Sequence, residues 1–151
     1  MARKLTEADA RRSLSEHARS KGEEIRAKYG VPQEWTTFER ILQDRSCVRY
    51  PCRVSFDTDA LRPGEFAYPE ALGEHPREGY HLHIHPYFAN RPADAIALAL
   101  YQLVVVNYGD FASAAEAESF GAAVLGMDRE AYYQRICALA DELAEAEGLG
   151  G

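Results

Sequence analysis

The chain has 151 residues, 46% of them hydrophobic and 27% charged, which suits a single domain over residues 1–151 with a sizeable core. Its formal net charge is −7 and no run of lysine or arginine stands out, so the basic face that phosphate-backbone recognition requires is missing and no nucleic-acid partner is expected. Three cysteines, Cys47, Cys52 and Cys137, are an odd count without a CxxC pair, which argues against a disulfide framework and for reduced, mostly buried thiols.

Met1-Ala2-Arg3-Lys4 runs into a polar segment rather than an apolar leader, so a cytoplasmic protein is expected. From Leu5 to Tyr29 alternating charge carries a thin apolar line at Leu14, Ala18, Ile25 and Tyr29, which predicts a peripheral helix within residues 1–30, ended by Gly30. Gly22 lowers its helicity, and His17 reads as a solvated residue among charges. Trp35, Phe38, Ile41 and Leu42 recur at helical spacing and predict a short amphipathic second helix. Val48 to Asp57 alternates, with Val48, Tyr50, Cys52, Val54 and Phe56 on one face, and predicts a half-buried strand that is bent or at an edge where Pro51 removes a ladder donor. Leu61-Arg62-Pro63-Gly64 supplies turn residues, so Glu65 to Tyr68 is expected to return as a shorter strand closing a hairpin. A polar loop, Ala71 to Gly79, follows.

Tyr80-His81-Leu82-His83-Ile84-His85 has period two, with Tyr80, Leu82 and Ile84 on one face and three histidines on the other. After Pro86, the stretch Asn90 to Asp94 offers a cap, a proline for the first turn and an acid at the positive end of a helix dipole. Only Gln102 is polar between Ala95 and Val106, which predicts a core helix covered on all sides; Val104-Val105-Val106 admits a buried strand instead. The run is shorter than the roughly 20 apolar residues that cross a bilayer, and no membrane partner is expected. Ser113 to Glu116 has the capping-box pattern and opens a helix lined by Ala117, Phe120, Val124 and Leu125. Asp128 caps a last helix, Arg129 to about Glu147, with Tyr132, Tyr133, Ile136, Leu139, Ala140 and Leu143 as its stripe and residues 147–151 as a frayed tail.

Chemistry concentrates at His81, His83 and His85. Alternate residues on one strand face lie about 6.5–7 Å apart, so two imidazoles can converge on one ion, whereas the outer pair, roughly 13 Å apart, cannot readily share it. A third ligand would come from Asp57, Asp59, Glu65, Glu74 or His75, and the ion would be zinc or another divalent transition metal. The other reading of the same pattern is the solvated outer face of an edge strand. Cys52 falls on the apolar parity, away from the histidines, which suits a structural thiol rather than a nucleophile.

Residues 83–127 resemble the active-site half of a minimal zincin, the metallopeptidase-like domain of the ImmA/IrrE type. Ile84-His85-Pro86 is similar to the strand end of that family, Ala99 to Val105 stands in the place of its HExxH helix, and Glu116 to Leu125 resembles the helix that follows. The resemblance implies a zincin-like scaffold without the peptidase reaction. Tyr101 and Val105 stand where the zinc histidines belong and Gln102 where the general-base glutamate belongs, or, with the register slid by one, Gln102, Leu103 and Val106 stand there. Neither register can bind zinc, Glu116 in the place of the third ligand would lack fellow ligands, and no histidine follows His85.

The expected architecture is therefore α+β: two N-terminal helices, a small three- or four-stranded and mostly antiparallel sheet, then three helices, the first of them buried. The expected function is a non-catalytic module that binds a protein or peptide against the sheet edge. The alternative is a metal-binding protein or metalloenzyme built on His81, His83 and His85. A homodimer through the histidine strand is a further expectation.

Overall fold

The computed structural model describes residues 6–148. Leu5, the expected start of the first helix, and residues 149–151 of the expected tail lie outside the described residues. The architecture is α+β, with five α-helices and a three-stranded mixed sheet among the described residues.

Helix α1 (Glu7–Tyr29) opens on a capping box, Thr6 Oγ1 accepting from the Asp9 N–H at 3.0 Å while Asp9 accepts from the Thr6 N–H, and it closes on Gly30 at φ 75°. Its narrow apolar line buries Ala18, Gly22 and Ile25, and its main partner is helix α4 (Ala114–Leu125). Gly22 sets the spacing, because a Cβ there would stand 2.6 Å from the Phe120 carbonyl oxygen and 2.7 Å from Ala123 Cβ. The expected capping box of α4 is absent. Ser113 is its N-cap, but Glu116 is buried and its carboxylate takes Ser113 Oγ at 3.0 Å, Arg11 at 3.3 Å and Ser15 at 3.5 Å. The long-range pairs outweigh a local cap, since a buried carboxylate needs more donors than one hydroxyl.

Helix α2 (Trp35–Gln43) buries Phe38, Ile41 and Leu42 as its spacing predicts. The next strand is shorter than expected. Strand β1 spans Cys52–Phe56; upstream of it the Val48 N–H donates to the Asp44 carbonyl and the Arg49 N–H to Asn107 Oδ1, so those donors never reach a ladder.

Strands β2 (Ala67–Ala71) and β3 (Tyr80–Ile84) complete the sheet in the order β1-β3-β2. The expected hairpin between the first two strands is thus not formed. β3 lies between them, parallel to β1 with Ser55 opposite His83 and antiparallel to β2 with Tyr68 opposite His83. Residues 57–66 are too long a connection for a tight hairpin, which takes two to five residues, and they carry the chain past the place β3 fills. The central place goes to the strand that is buried on both faces: Tyr80, Leu82, His83 and Ile84 are all shielded. With both edges of β3 paired, the strand has no free edge for the expected homodimer contact.

Helix α3 (Pro92–Tyr108) packs on β2 and β3, so Val104 to Val106 are helical. Pro92 is its first residue and Gly109 ends it at φ 66°. It is not covered on every side, since Tyr101, Gln102, Val105 and Tyr108 form a half-buried stripe. Helix α5 (Arg129–Ala146) starts from Asp128 and buries Tyr132, Ile136, Leu139 and Leu143, whereas Tyr133 of the expected stripe is exposed. The Tyr132 hydroxyl donates to the Ala97 carbonyl at 2.7 Å, and its ring fills the space a Cβ on Gly121 would need. All three cysteines are free, and among the described residues no helix is long and apolar enough to cross a membrane.

Candidate metal centre

The polar face of the sheet is built from alternate residues: Ser55 on β1 with Asp57 just beyond it, His81 and His83 on β3, and Tyr68 and Glu70 on β2. Parallel register sets Ser55 beside His83 and antiparallel register sets Glu70 beside His81, so groups far apart in sequence share one surface.

His83 occupies the middle. It is only 3% exposed, although it points away from the apolar core. Its Nδ1 lies 2.6 Å from Asp57 Oδ1 and its Nε2 3.1 Å from Glu70 Oε1, and the His81 ring stacks on it at 3.9 Å between centroids. A ring nitrogen facing a carboxylate donates when it carries a proton, so carboxylates at both nitrogens favour the imidazolium form of His83. Burial pulls its pKa down, but the bonds to Glu70 and Asp57 outweigh burial and raise it above the usual histidine value. His81 goes the other way: burial, the charge of His83 and that of Arg53 lower its pKa, which favours its neutral form. Asp57 is held down at about 2, first by the Ser55 hydroxyl and then by His83 and the Asp59 N–H.

Ser55 completes the network. Its hydroxyl has one proton and donates it to Asp57, which leaves a lone pair for His81 Nε2, 2.6 Å away. One chain of hydrogen bonds then runs from His81 through Ser55 to Asp57, and from His83 to both Asp57 and Glu70, across all three strands.

Asp57, His81 and His83 bring one ligand atom each to within 4.8 Å of one another. Around a tetrahedral ion with bonds of about 2.1 Å the corresponding separation is about 3.4 Å, so side-chain rotations of about an ångström would close the set. Two imidazoles and a carboxylate suit zinc, iron or another divalent first-row ion and leave further positions for solvent or a ligand. Glu70 is then the outer carboxylate that accepts from His83 Nε2 and turns Nδ1 to the metal side.

The other sequence candidates are elsewhere. His85 caps the turn after β3, its Nδ1 accepting from the Tyr87 N–H at 3.1 Å, and its Nε2 lies 3.6 Å from Glu147. His75 caps the turn Pro76–Glu78 through the Arg77 N–H. Glu65 accepts from the Arg62 N–H at 2.7 Å within its own loop. Asp59 gives its backbone N–H to Asp57, and Glu74 is exposed. Glu70 and Ser55 are the members of the network that sequence reasoning did not single out. The parity of Ser55 on the polar face of β1 was readable. Glu70 was not, because the second strand was expected over Glu65 to Tyr68 and instead spans Ala67–Ala71, and neither strand's position beside β3 was readable.

No protein-family model matches the chain, and no curated protein and no solved structure matches it.

Proposed function

We propose that the protein binds a divalent transition-metal ion through Asp57, His81 and His83, with Glu70 orienting His83. The observation that carries this reading is the convergence of the three ligand atoms on the outer face of the sheet, one of them on a histidine shielded from solvent and bonded to carboxylates at both nitrogens. With Nδ1 protonated, His83 holds Asp57 through that proton. An ion of higher charge can take its place once Nδ1 is deprotonated, so binding releases a proton and strengthens as pH rises through the raised pKa of His83. Tyr68, 45% exposed and opposite His83 in the register, stands at the rim where a ligand of the ion would enter.

The test is elemental analysis of untagged protein purified without a metal-affinity column, then of the same protein after incubation with excess zinc and dialysis. About one equivalent of retained metal is expected, lost in His83→Ala and in Asp57→Asn while the far-UV circular dichroism is unchanged. Folded wild-type protein that retains no metal after incubation would sink the reading.

The second reading, a peptide-binding module on a zincin-like scaffold, has one supporting observation: Tyr68 on β2, an outer strand of the sheet, and Leu72 just beyond its end are exposed. Against it stands Pro69, which removes one main-chain donor from that edge. A peptide that protected the β2 amides from hydrogen exchange would favour this reading.

A further inference from the structure

On the opposite side of the chain's charge balance, a cavity of about 270 Å³ lies between α1, the loop after α2 and the end of α3. Lys21, Arg45 and Arg49 line it together with His17, Asn107 and Tyr108. Glu24 offsets the charge of Lys21, but Arg45 and Arg49 bring two further permanent cations to the same small cavity in a protein of net charge −7, and their mutual repulsion is relieved when an anion sits between them.

The walls are fixed in place. Buried Asn107 accepts from the Arg49 N–H at 2.8 Å and donates to the Cys47 carbonyl at 3.1 Å, which ties the loop to α3. Lys21 reaches across from α1 to the Ser46 carbonyl at 3.0 Å, with Glu24 at 2.9 Å. Arg45 spends Nη1 on the Leu42 and Val48 carbonyls, leaving the donors on Nε and Nη2. Among the described residues neither Arg45 nor Arg49 pairs with a carboxylate. Asp44, the nearest acid in sequence, is occupied by Lys28, Tyr29 and Ser46.

We propose that this cavity binds a phosphate group, as free phosphate or as a small phosphorylated molecule. Guanidinium and ammonium donors on separate elements surround an oxyanion from several sides, which is the arrangement a tetrahedral dianion uses best. The cavity is smaller than the usual 300–1,000 Å³ of a drug-sized ligand site, which limits the occupant to a group of this size. Because the backbone of the loop is tied to α3 and α1, the ordering on capture falls on the exposed side chains of Arg45 and Arg49, the latter resting over the Tyr50 ring. Burial raises the pKa of the Cys47 thiol, so the cysteine on the wall stays protonated and takes no part.

The probe is inorganic phosphate, titrated into the full chain by calorimetry, with chelator present so that phosphate held by a metal does not contribute and with chloride holding ionic strength constant. One saturable site is expected in wild type and in Arg62→Gln, an exposed arginine on another loop. Binding should weaken at least about tenfold in Arg49→Gln and in Lys21→Gln, each the loss of a charge-assisted contact. Wild type without saturable binding at millimolar phosphate, or wild-type affinity in both Arg49→Gln and Lys21→Gln with wild-type circular dichroism, would overturn the proposal.

Discussion

At its centre β3 buries side chains on both faces, by opposite means. Toward α3, Tyr80, Leu82 and Ile84 are shielded by apolar contact, each fully buried aliphatic contributing about 1.5–3 kcal/mol by transfer from water. On the other face His83 is shielded as completely, yet what covers it is a second imidazole and two carboxylates. Apolar burial stabilises whatever the pH. Polar burial holds only while each proton is on the right atom.

Leu82→Ala should produce the largest effect on stability, about 2–5 kcal/mol in urea unfolding, because Leu82 is fully buried and the paired strand cannot collapse onto the void. If the comparison is right, that loss is nearly constant from pH 4 to 8. Glu70→Gln should leave the fold intact and weaken metal binding about 10–100-fold in a competition titration, the usual effect of removing the carboxylate behind a ligating histidine. An unchanged affinity would remove Glu70 from the site. Tyr132→Phe tests a neutral polar group inside the apolar region: losing its single bond to the Ala97 carbonyl should lower stability by about 1 kcal/mol, again without pH dependence.

The smallest effect is the most diagnostic. In chelated protein, the stability difference between wild type and His83→Ala should trace a bell in pH. His83 has a raised folded pKa, so its contribution is complete below the ordinary histidine value of about 6.5 and is lost as pH rises through the raised one. Asp57 is depressed to about 2, so its contribution is complete above the ordinary carboxylate value of about 4 and is lost as pH falls toward 2. The maximum therefore lies at about pH 4–6.5. A flat difference would mean that the two faces are not distinguished by charge.

Local periodicity made much of the fold legible. The spacing of Phe38, Ile41 and Leu42, the run from Pro92 to Tyr108 and the alternation of Tyr80 to Ile84 each report the environment of one element. Strand order was not legible, because the alternation of Cys52 to Phe56 states which side chains face the core and says nothing of the neighbour. Placing β3 at the centre changed the site with it. Asp57 joined His81 and His83, whereas His85, which shares their parity, had already left the strand to cap the following turn. The basic cavity escaped notice for the same reason, since Lys21, Arg45 and Arg49 form no cluster until α1 and α3 are packed.

The mixed register of β3 also sets an order of assembly. β2 and β3 are joined through residues 72–79 and pair antiparallel, a short-range closure helped by the Leu72 N–H donating to the Gly79 carbonyl at 3.0 Å. β1 must then dock parallel along the other side of β3 after a much longer loop has closed. Asp57 and Ser55 arrive with β1, so His83 is without half of its network until that late step. Detachment of β1 as a unit is correspondingly the first opening that would dismantle the centre, and a bound ion bridging Asp57 to the histidines of β3 would act as a latch against it, slowing amide exchange along β1 more than anywhere else in the sheet.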